Sequence, residues 1–122
     1  MSAKTTVVLG ASPKPDRFSN KALRMLREHG YHVVPVHPVH TEIEGLPAAK
    51  SLAAITDPVD TLTMYVNAAQ SASLAEAILR LAPRRVIFNP GAENAELERK
   101  LSEAGIECRN ACTLVMLRSK TY

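Results

Sequence analysis

The sequence predicts an α/β fold with a doubly wound, mostly parallel five-stranded sheet in three layers. Short apolar runs rich in β-branched residues alternate with segments whose apolar residues recur at helical spacing. Such alternation is typical of right-handed βαβ crossovers, which cover both faces of a parallel sheet with helices. Hydrophobic residues fill 46% of the 122 positions and aromatic residues only 4%, which favours an aliphatic core of the kind found in buried parallel sheets. We expect a single domain over residues 1–122.

Each predicted element has its own justification. The strands are apolar runs too short for a helix, and they are predicted at 5–9, 31–36, 61–66, 85–88 and from 106 to 108. The helices have apolar residues three and four apart, and they are predicted at 20–29, 70–81 and 95–104. Asn94 is expected to cap the last helix, and Pro35 and Pro38 bar the second strand from the centre of a sheet. Residues 45–47 are predicted as a loop, a short helix could form near 52–55, and the run 113–117 fits a helical turn or an edge strand.

The charge pattern favours a small anionic ligand over nucleic acid. Fifteen basic and twelve acidic residues give a net charge of +3, scattered along the chain without a basic run. No apolar stretch approaches the roughly 20 residues of a membrane span, and no secretion signal is recognisable. Two cysteines are too few for a disulfide framework. We therefore expect a cytoplasmic protein with reduced thiols and no membrane partner.

The residues that follow the first strand have the ingredients of an anion site. Ligands of parallel α/β sheets bind at the carboxyl ends of the strands. There the loop from Gly10 to Ser19 offers a close backbone approach, the hydroxyls of Ser12 and Ser19, and two cations, Lys14 and Arg17, before a helix N-terminus. The same loop could instead be a polar connection that caps its helix with Ser19 or Asn20.

A nicotinamide dinucleotide is the less favoured ligand. The first loop has neither the G-x-G-x-x-G pattern of dinucleotide-binding folds nor the phosphate loop of nucleoside triphosphatases. His37 follows the second strand, where an NAD-binding domain usually has an acidic residue for the ribose hydroxyls. An NAD(P)-binding oxidoreductase or an epimerase-like enzyme remains the alternative function.

Three segments together resemble a known family. They are Val8-Leu9-Gly10-Ala11-Ser12 followed by Lys14 to Arg17 and Ser19, Gly30-Tyr31 with Val33, Pro35, Val36 and Pro38, and Asp57-Pro58-Val59-Asp60. In combination they resemble the stand-alone coenzyme A-binding proteins, which have a Rossmann-like fold. That family is similar to the N-terminal domain of the succinyl-CoA synthetase α subunit. The resemblance extends from about residue 5 to about residue 118.

The resemblance implies a coenzyme A site built from the strand ends. Its expected members are Gly10, Ala11, Ser12, Pro13, Lys14, Arg17 and Ser19 at the phosphates, His37 and Pro38 beside the adenosine, Tyr65, Val66 and Asn67 along the ligand, and Asn89, Gly91 and Cys112 at the remaining strand ends. The chain departs from the family at Asn67-Ala68-Ala69, which lacks the family's prolines, and at Asn89-Pro90, which lacks its glutamine.

The implied role is binding without chemistry. The family pattern has no catalytic constellation within this domain, and the phosphorylated histidine of the synthetase lies in another domain. His37 and His40 could form half of a metal site only if Cys108 and Cys112 joined them, so we expect no metal. Cys112 could be a thiol near the reactive end of the ligand or a small buried hydrophobe. A homodimer and a subunit that docks on a partner enzyme both remain open.

Overall fold

A five-stranded parallel sheet forms the centre of the molecule, in the order β2-β1-β5-β6-β7. The structure is a computed structural model that describes residues 4–122. Its elements are β1 (Thr5–Leu9), α1 (Phe18–Glu28), β2 (His32–Val36), β3 (Glu42–Ile43), β4 (Leu46–Pro47), a 3₁₀ turn (Leu52–Ala54), β5 (Thr61–Met64), α2 (Ala68–Ser71), α3 (Ala75–Leu81), β6 (Arg85–Phe88), α4 (Ala95–Glu103), β7 (Glu107–Asn110) and α5 (Thr113–Arg118). The α/β, Rossmann-like prediction is confirmed.

Helices cover both faces of the sheet. On one face α3 and α4 bury a continuous aliphatic cluster that includes Leu62, Ile78 and Leu101. On the other face α1 packs through Leu23 and Leu26 onto Val8, with α5 beside it. This division follows from alternation along each strand, because successive side chains point to opposite faces.

The predicted elements form with shifted bounds. The helix predicted at 70–81 is divided into α2 and α3. Asn67 starts α2 with a capping box, and the hydroxyl of Ser71 turns back to the carbonyl of Ala68, which satisfies the first turn locally. The last strand extends to Asn110, and the run that begins at Thr113 is helical.

The segment predicted as a loop at 45–47 belongs to a small hairpin, which corrects that prediction. β3 and β4 pair antiparallel through a two-residue turn in which Glu44 and Gly45 both have positive φ, at 53° and 78°. That conformation matches the twist of hairpin strands. Ala49 then pairs with Val36 and covers the outer edge of β2. Pro35 is tolerated in β2 because this strand lies at the edge of the main sheet, as expected.

Within residues 4–122, the structure has no helix with the length and apolar character needed to cross a membrane.

Candidate functional site

Two adjoining clefts lie at the carboxyl edge of the sheet, beyond β1, β2 and β5. One is polar and encloses about 460 Å³, and the other is mostly apolar and encloses about 470 Å³. Gly10 and His37 line both, so the clefts meet at these residues. The predicted site residues at the polar cleft are Gly10, Ser12, Pro13, Lys14, Arg17, Ser19, His37 and Tyr65. Those at the apolar cleft are Gly10, Ala11, His37, Pro38 and Val66.

Gly10 lets β1 turn directly into the clefts. Its φ is +86°, a left-handed conformation that L side chains rarely adopt. A Cβ at this position would lie 3.0 Å from Val66 Cγ1 and 3.1 Å from the backbone of Tyr65. The residues after β5 therefore pack directly against this turn, and a side chain at position 10 would have to displace them.

The first loop is fastened to the protein from below. Asn20 is fully buried and its Nδ2 donates to Ser12 O at 2.8 Å, while Arg24 Nη2 donates to Pro15 O at 2.8 Å. Asn20 Oδ1 accepts from Arg24 Nε, which joins the two supports. In the part of the chain that the structure describes, Lys14 and Arg17 make no side-chain hydrogen bond or ion pair and are exposed. Both cations are thus carried on a fixed loop with their charges unpaired.

The start of α1 contributes further donors to the polar cleft. The N-cap residue is Arg17, which makes no side-chain cap bond, and the first turn contains no acidic residue. The alternative interpretation, in which Ser19 or Asn20 caps this helix, does not hold, because both residues lie inside it and are buried. Uncapped N–H groups at a helix start carry partial positive charge and lack intrahelical acceptors. Since Arg17, Phe18 and Ser19 line the polar cleft, these groups favour an anion there.

His37 presents a neutral donor where the clefts meet. Its Nδ1 accepts hydrogen bonds from the backbone N–H groups of Val39 and His40, both at 3.0 Å. In the neutral ring the proton is then on Nε2, which is free to donate. The His40 ring lies edge-on to the His37 ring, with centroids 4.5 Å apart. Burial, followed by the charge of His40, lowers the pKa of His37.

Tyr65 forms the floor of the polar cleft next to the core. Its hydroxyl is buried and has no hydrogen-bond partner among the described residues. Burial raises the pKa of Tyr65, and the nearby Thr113 and Thr63 hydroxyls oppose that shift. The phenol is therefore neutral at ordinary pH.

The remaining predicted residues, which are Asn67, Asn89, Gly91 and Cys112, line neither cleft. Asn67 caps α2 by accepting from Gln70 N–H at 2.9 Å. Asn89 is 1% exposed. Its Nδ2 donates to Thr63 Oγ1 and Met64 O, and its Oδ1 accepts from Thr113 N–H. All of these hydrogen bonds are to the fold itself, and contact of Asn89 with a ligand stays a prediction.

Gly91 and Cys112 also lie apart from the clefts. Gly91 has a φ of +90° in an exposed turn, where its N–H donates to Glu93 Oε1 at 2.8 Å. Cys112 is half-buried and is the N-cap residue of α5, without a side-chain cap bond. At the carboxyl edge the clefts thus lie beside β1, β2 and β5, and of the residues after β6 only Pro90 lines one of them.

Comparison with known proteins assigns the family. The family model described as "CoA binding domain" matches residues 4–118. This chain belongs to the CoA binding domain family. It is similar to the uncharacterized protein YneT of Bacillus subtilis, with 30% identity over 103 residues that cover 84% of this chain and 76% of YneT. The crystal structure of an uncharacterized protein, 42% identical, has a TM-score of 0.92 and is covered over 100% of both chains.

A second curated relative is a much longer enzyme. The ADP-forming acetate–CoA ligase I of Archaeoglobus fulgidus is 30% identical over 106 residues, which cover 82% of this chain and 16% of the ligase. This member of the CoA binding domain family therefore corresponds to a small part of that enzyme.

Several residues of the clefts were missed by the sequence prediction. Lys50, Ser51, Leu52, Ala53, Gln70, Leu74 and Ala77 line the apolar cleft, and Phe18, His40 and Pro90 line the polar one. Most of them lie outside the strand ends, so the rule that predicted the others does not reach them. His40 was weighed only as a metal ligand. Among residues 4–122, no group of three His, Cys, Asp or Glu side chains could hold a metal ion.

Proposed function

We propose that this protein binds coenzyme A across the two clefts, with the phosphates in the polar cleft and the adenosine in the apolar one. The observation that carries the proposal is the pair of unpaired cations, Lys14 and Arg17, on a fastened loop at the uncapped start of α1. A polyanion with an aromatic ring system fits a cationic cleft that joins an apolar one.

The polar cleft has the donors that a pyrophosphate requires. Arg17 supplies a planar fork suited to two phosphate oxygens, and Lys14 supplies a mobile point charge. The Ser12 hydroxyl accepts from Lys14 N–H at 3.1 Å, so its own proton is free to donate. Together with the N–H groups of α1, these donors match the negative charge of the ligand.

The apolar cleft suits the adenine ring. Leu9, Val36, Pro38, Leu52 and Val66 give it aliphatic walls, with Lys50 also among its lining residues. His37 Nε2 lies at the boundary, where it can donate to the ribose or a phosphate. A neutral donor in this place differs from the carboxylate that holds ribose hydroxyls in NAD-binding domains, so we expect coenzyme A to bind more tightly than NAD.

We propose that the role is binding without catalysis. Covalent chemistry requires a nucleophile within hydrogen-bond reach of a base. Cys112 and Tyr65 are the candidate nucleophile and acid nearest this edge, but Cys112 lines neither cleft and the phenol of Tyr65 is kept neutral. Neither has a histidine or carboxylate as a hydrogen-bond partner among the described residues.

Calorimetric titration tests the proposal with coenzyme A, dephospho-coenzyme A and NAD as ligands. Arg17→Ala should weaken coenzyme A binding by about 1.5–3 kcal/mol, the worth of a charge-assisted hydrogen bond. Lys14→Ala should weaken it less. Arg99→Ala, an exposed charge deletion on α4, controls for net charge and should stay within about 0.5 kcal/mol. Unchanged affinity in both loop variants, or tighter binding of NAD than of coenzyme A, would refute the proposed site.

A further inference from the structure

The outer edge of β7 is open, whereas the opposite edge of the sheet is covered. At β2, His37 N–H donates to Ala49 O and Ala49 N–H donates to Pro35 O, both at 2.9 Å. In the described part of the chain, β7 pairs with β6 alone. Glu107 and Ala111 donate their N–H groups to the β6 side. Alternation along the strand therefore directs the backbone groups of Cys108 and Asn110 outward, where they lack partners.

The side chains of β7 carry charges of both signs on one face. Arg109 Nε lies 2.8 Å from Glu107 Oε2, and Glu107 Oε1 lies 3.7 Å from Arg84 Nη1. Arg84 in turn pairs with Asp60 at 2.8 Å. Negative and positive charges therefore alternate along Asp60, Arg84, Glu107 and Arg109. This row of ion pairs ends at the open edge with Arg109, whose side chain is half-exposed.

We propose that β7 pairs antiparallel with β7 of a second copy of this chain, about a twofold axis at Cys108. The outward-facing Cys108 backbone groups of the two copies exchange hydrogen bonds. Glu107 of each copy then lies directly opposite Arg109 of the other, an attractive cross-strand pair that occurs twice. The two sheets join into one continuous sheet.

The charges of Glu107 and Arg109 favour this register and favour a second copy of the chain as the partner. Moving the pairing by one step in either direction sets Glu107 against Glu107 or Arg109 against Arg109, and like charges directly opposite are destabilising. Charged side chains, lysine above all, protect many edge strands from pairing, whereas opposite charges placed directly across two strands attract. Here the sequence Glu107-Cys108-Arg109 is complementary to itself when reversed. β7 lines neither cleft, so the inference is independent of the proposed function.

Charge-reversal variants at positions 107 and 109 test the pairing. Sedimentation equilibrium from about 1 µM to about 1 mM protein measures their dimerisation. We expect a concentration-dependent dimer for the wild type. Glu107→Arg and Arg109→Glu each turn both attractive pairs into repulsive ones and should raise the dissociation constant roughly 10-fold or more. The double variant restores the complementarity and should dimerise again. A mixture of the two single variants should form a heterodimer, because one chain is doubly basic and the other doubly acidic at these positions.

The control is Glu42→Arg, which makes the same charge change on β3 at the far side of the sheet and should leave the dimer intact. A wild type that stays monomeric at about 1 mM overturns the proposal. A dimer that neither single variant weakens also overturns it. Binding of a different peptide at β7, without self-association of this chain, would overturn it as well.

Hydrogen exchange of the wild type gives a readout that needs no variant. The outward amides of Cys108 and Asn110 should exchange more slowly as protein concentration rises, while the amide of Arg109, which faces β6, should not depend on concentration. If the Cys108 and Asn110 amides exchange at one rate throughout, the pairing is wrong even where the charge variants fail to fold.

Discussion

At the scale of single residues, two uncharged residues shape the clefts, Gly10 and His37. Gly10 ends β1 so close to Tyr65 that a Cβ at this position would lie 3.1 Å from the Tyr65 backbone. His37 holds the turn that follows β2 by accepting two backbone N–H groups through its ring nitrogen. Neither residue carries charge at neutral pH. Both line the two clefts where these meet.

Gly10→Ala should destabilise the protein by more than about 2 kcal/mol. A left-handed φ costs an L residue roughly 1–2 kcal/mol, and the new methyl also meets Val66 and Tyr65 at about 3 Å. Gly30→Ala is the matched control, because Gly30 has the same φ of +86° but no neighbouring atom within 4 Å of a Cβ. Urea denaturation measures both. If both variants lose the same free energy of unfolding, the contact with the residues after β5 does not contribute to stability.

His37 should make stability depend on pH. Its folded pKa lies below the ordinary value, so the unfolded chain takes up the proton first. The stabilisation by His37, about 1 kcal/mol relative to His37→Ala, is therefore complete above about pH 6.5 and is lost as pH falls toward the folded pKa.

His37→Asn supplies the control for that titration. Its Oδ1 can accept from the same two amides but does not titrate, so its stability relative to His37→Ala should not vary between pH 5 and pH 8. Denaturation curves of the three proteins across this range provide the measurement. A constant difference between wild type and His37→Ala would contradict the predicted role of the ring nitrogen.

At the scale of elements, Asn89 joins two strands and a helix. From the end of β6 its amide donates to Thr63 Oγ1 and Met64 O of β5, at 2.7 and 2.8 Å. It accepts from Thr113 N–H at the first residue of α5, at 2.9 Å. Thr63 and Thr113 are themselves hydrogen bonded at 2.8 Å. This buried hydrogen-bond network holds α5 against the sheet beside Tyr65.

Asn89→Ala should cost about 3 kcal/mol, because it removes three buried hydrogen bonds and leaves their partners unsatisfied. Asn110→Ala is the matched control at the end of β7. Asn110 is exposed and its Nδ2 bonds only Glu98 Oε1, so the loss should stay within about 0.5 kcal/mol. Chemical denaturation compares the two variants. A small effect at Asn89 would mean that water replaces its partners, and the residue would again be available to a ligand.

At the scale of the whole molecule, the two faces of the sheet are built differently. The face under α3 and α4 is aliphatic. The face under α1 and α5 carries Thr6, Thr61, Thr63 and Arg85, all buried. Tyr122, in the segment after α5, covers these buried polar side chains. Its hydroxyl shares a 2.6 Å hydrogen bond with Thr6 Oγ1, and its ring centroid lies 4.5 Å from Arg85 Cζ.

Tyr122→Ala should destabilise the protein by about 3 kcal/mol, as for other large aromatic truncations. It uncovers Arg85, which is 5% exposed, and removes the ring that packs edge-on to Tyr31 with centroids 5.0 Å apart. Tyr122→Phe should cost only about 1 kcal/mol, for the lost hydrogen bond. Thermal melts of both variants beside Thr121→Ala, an exposed neighbour, measure the difference. A stable Tyr122→Ala protein would show that solvent can take the place of this side chain without loss.

Much of the fold and part of the candidate site could be predicted from the sequence. The strand positions and the cap at Asn94 are confirmed. The ion pairs Glu96–Lys100 and Arg99–Glu103 lie four residues apart on one helix face, a spacing visible in the sequence. The first loop, His37, Pro38, Tyr65 and Val66 do meet at the carboxyl edge, but their contact with coenzyme A stays a prediction. These successes rest on local periodicity and on one rule, that parallel strands end together.

Tertiary structure alone decided the rest. The sequence by itself determined an α/β fold, because the spacing of apolar residues specifies which face of each element is buried. The combination of its motifs indicated the CoA binding domain family, and the rule that parallel strands end together indicated the edge of the candidate site. The sequence could not assign Asn89 to the fold, Lys50 to the apolar cleft or Ala49 to the edge of β2. Each of those roles depends on a partner that is distant in the chain, as Tyr122 is from Thr6. A side chain of one type can hold a ligand or another strand, and only the packing around it determines which partner lies within hydrogen-bond reach.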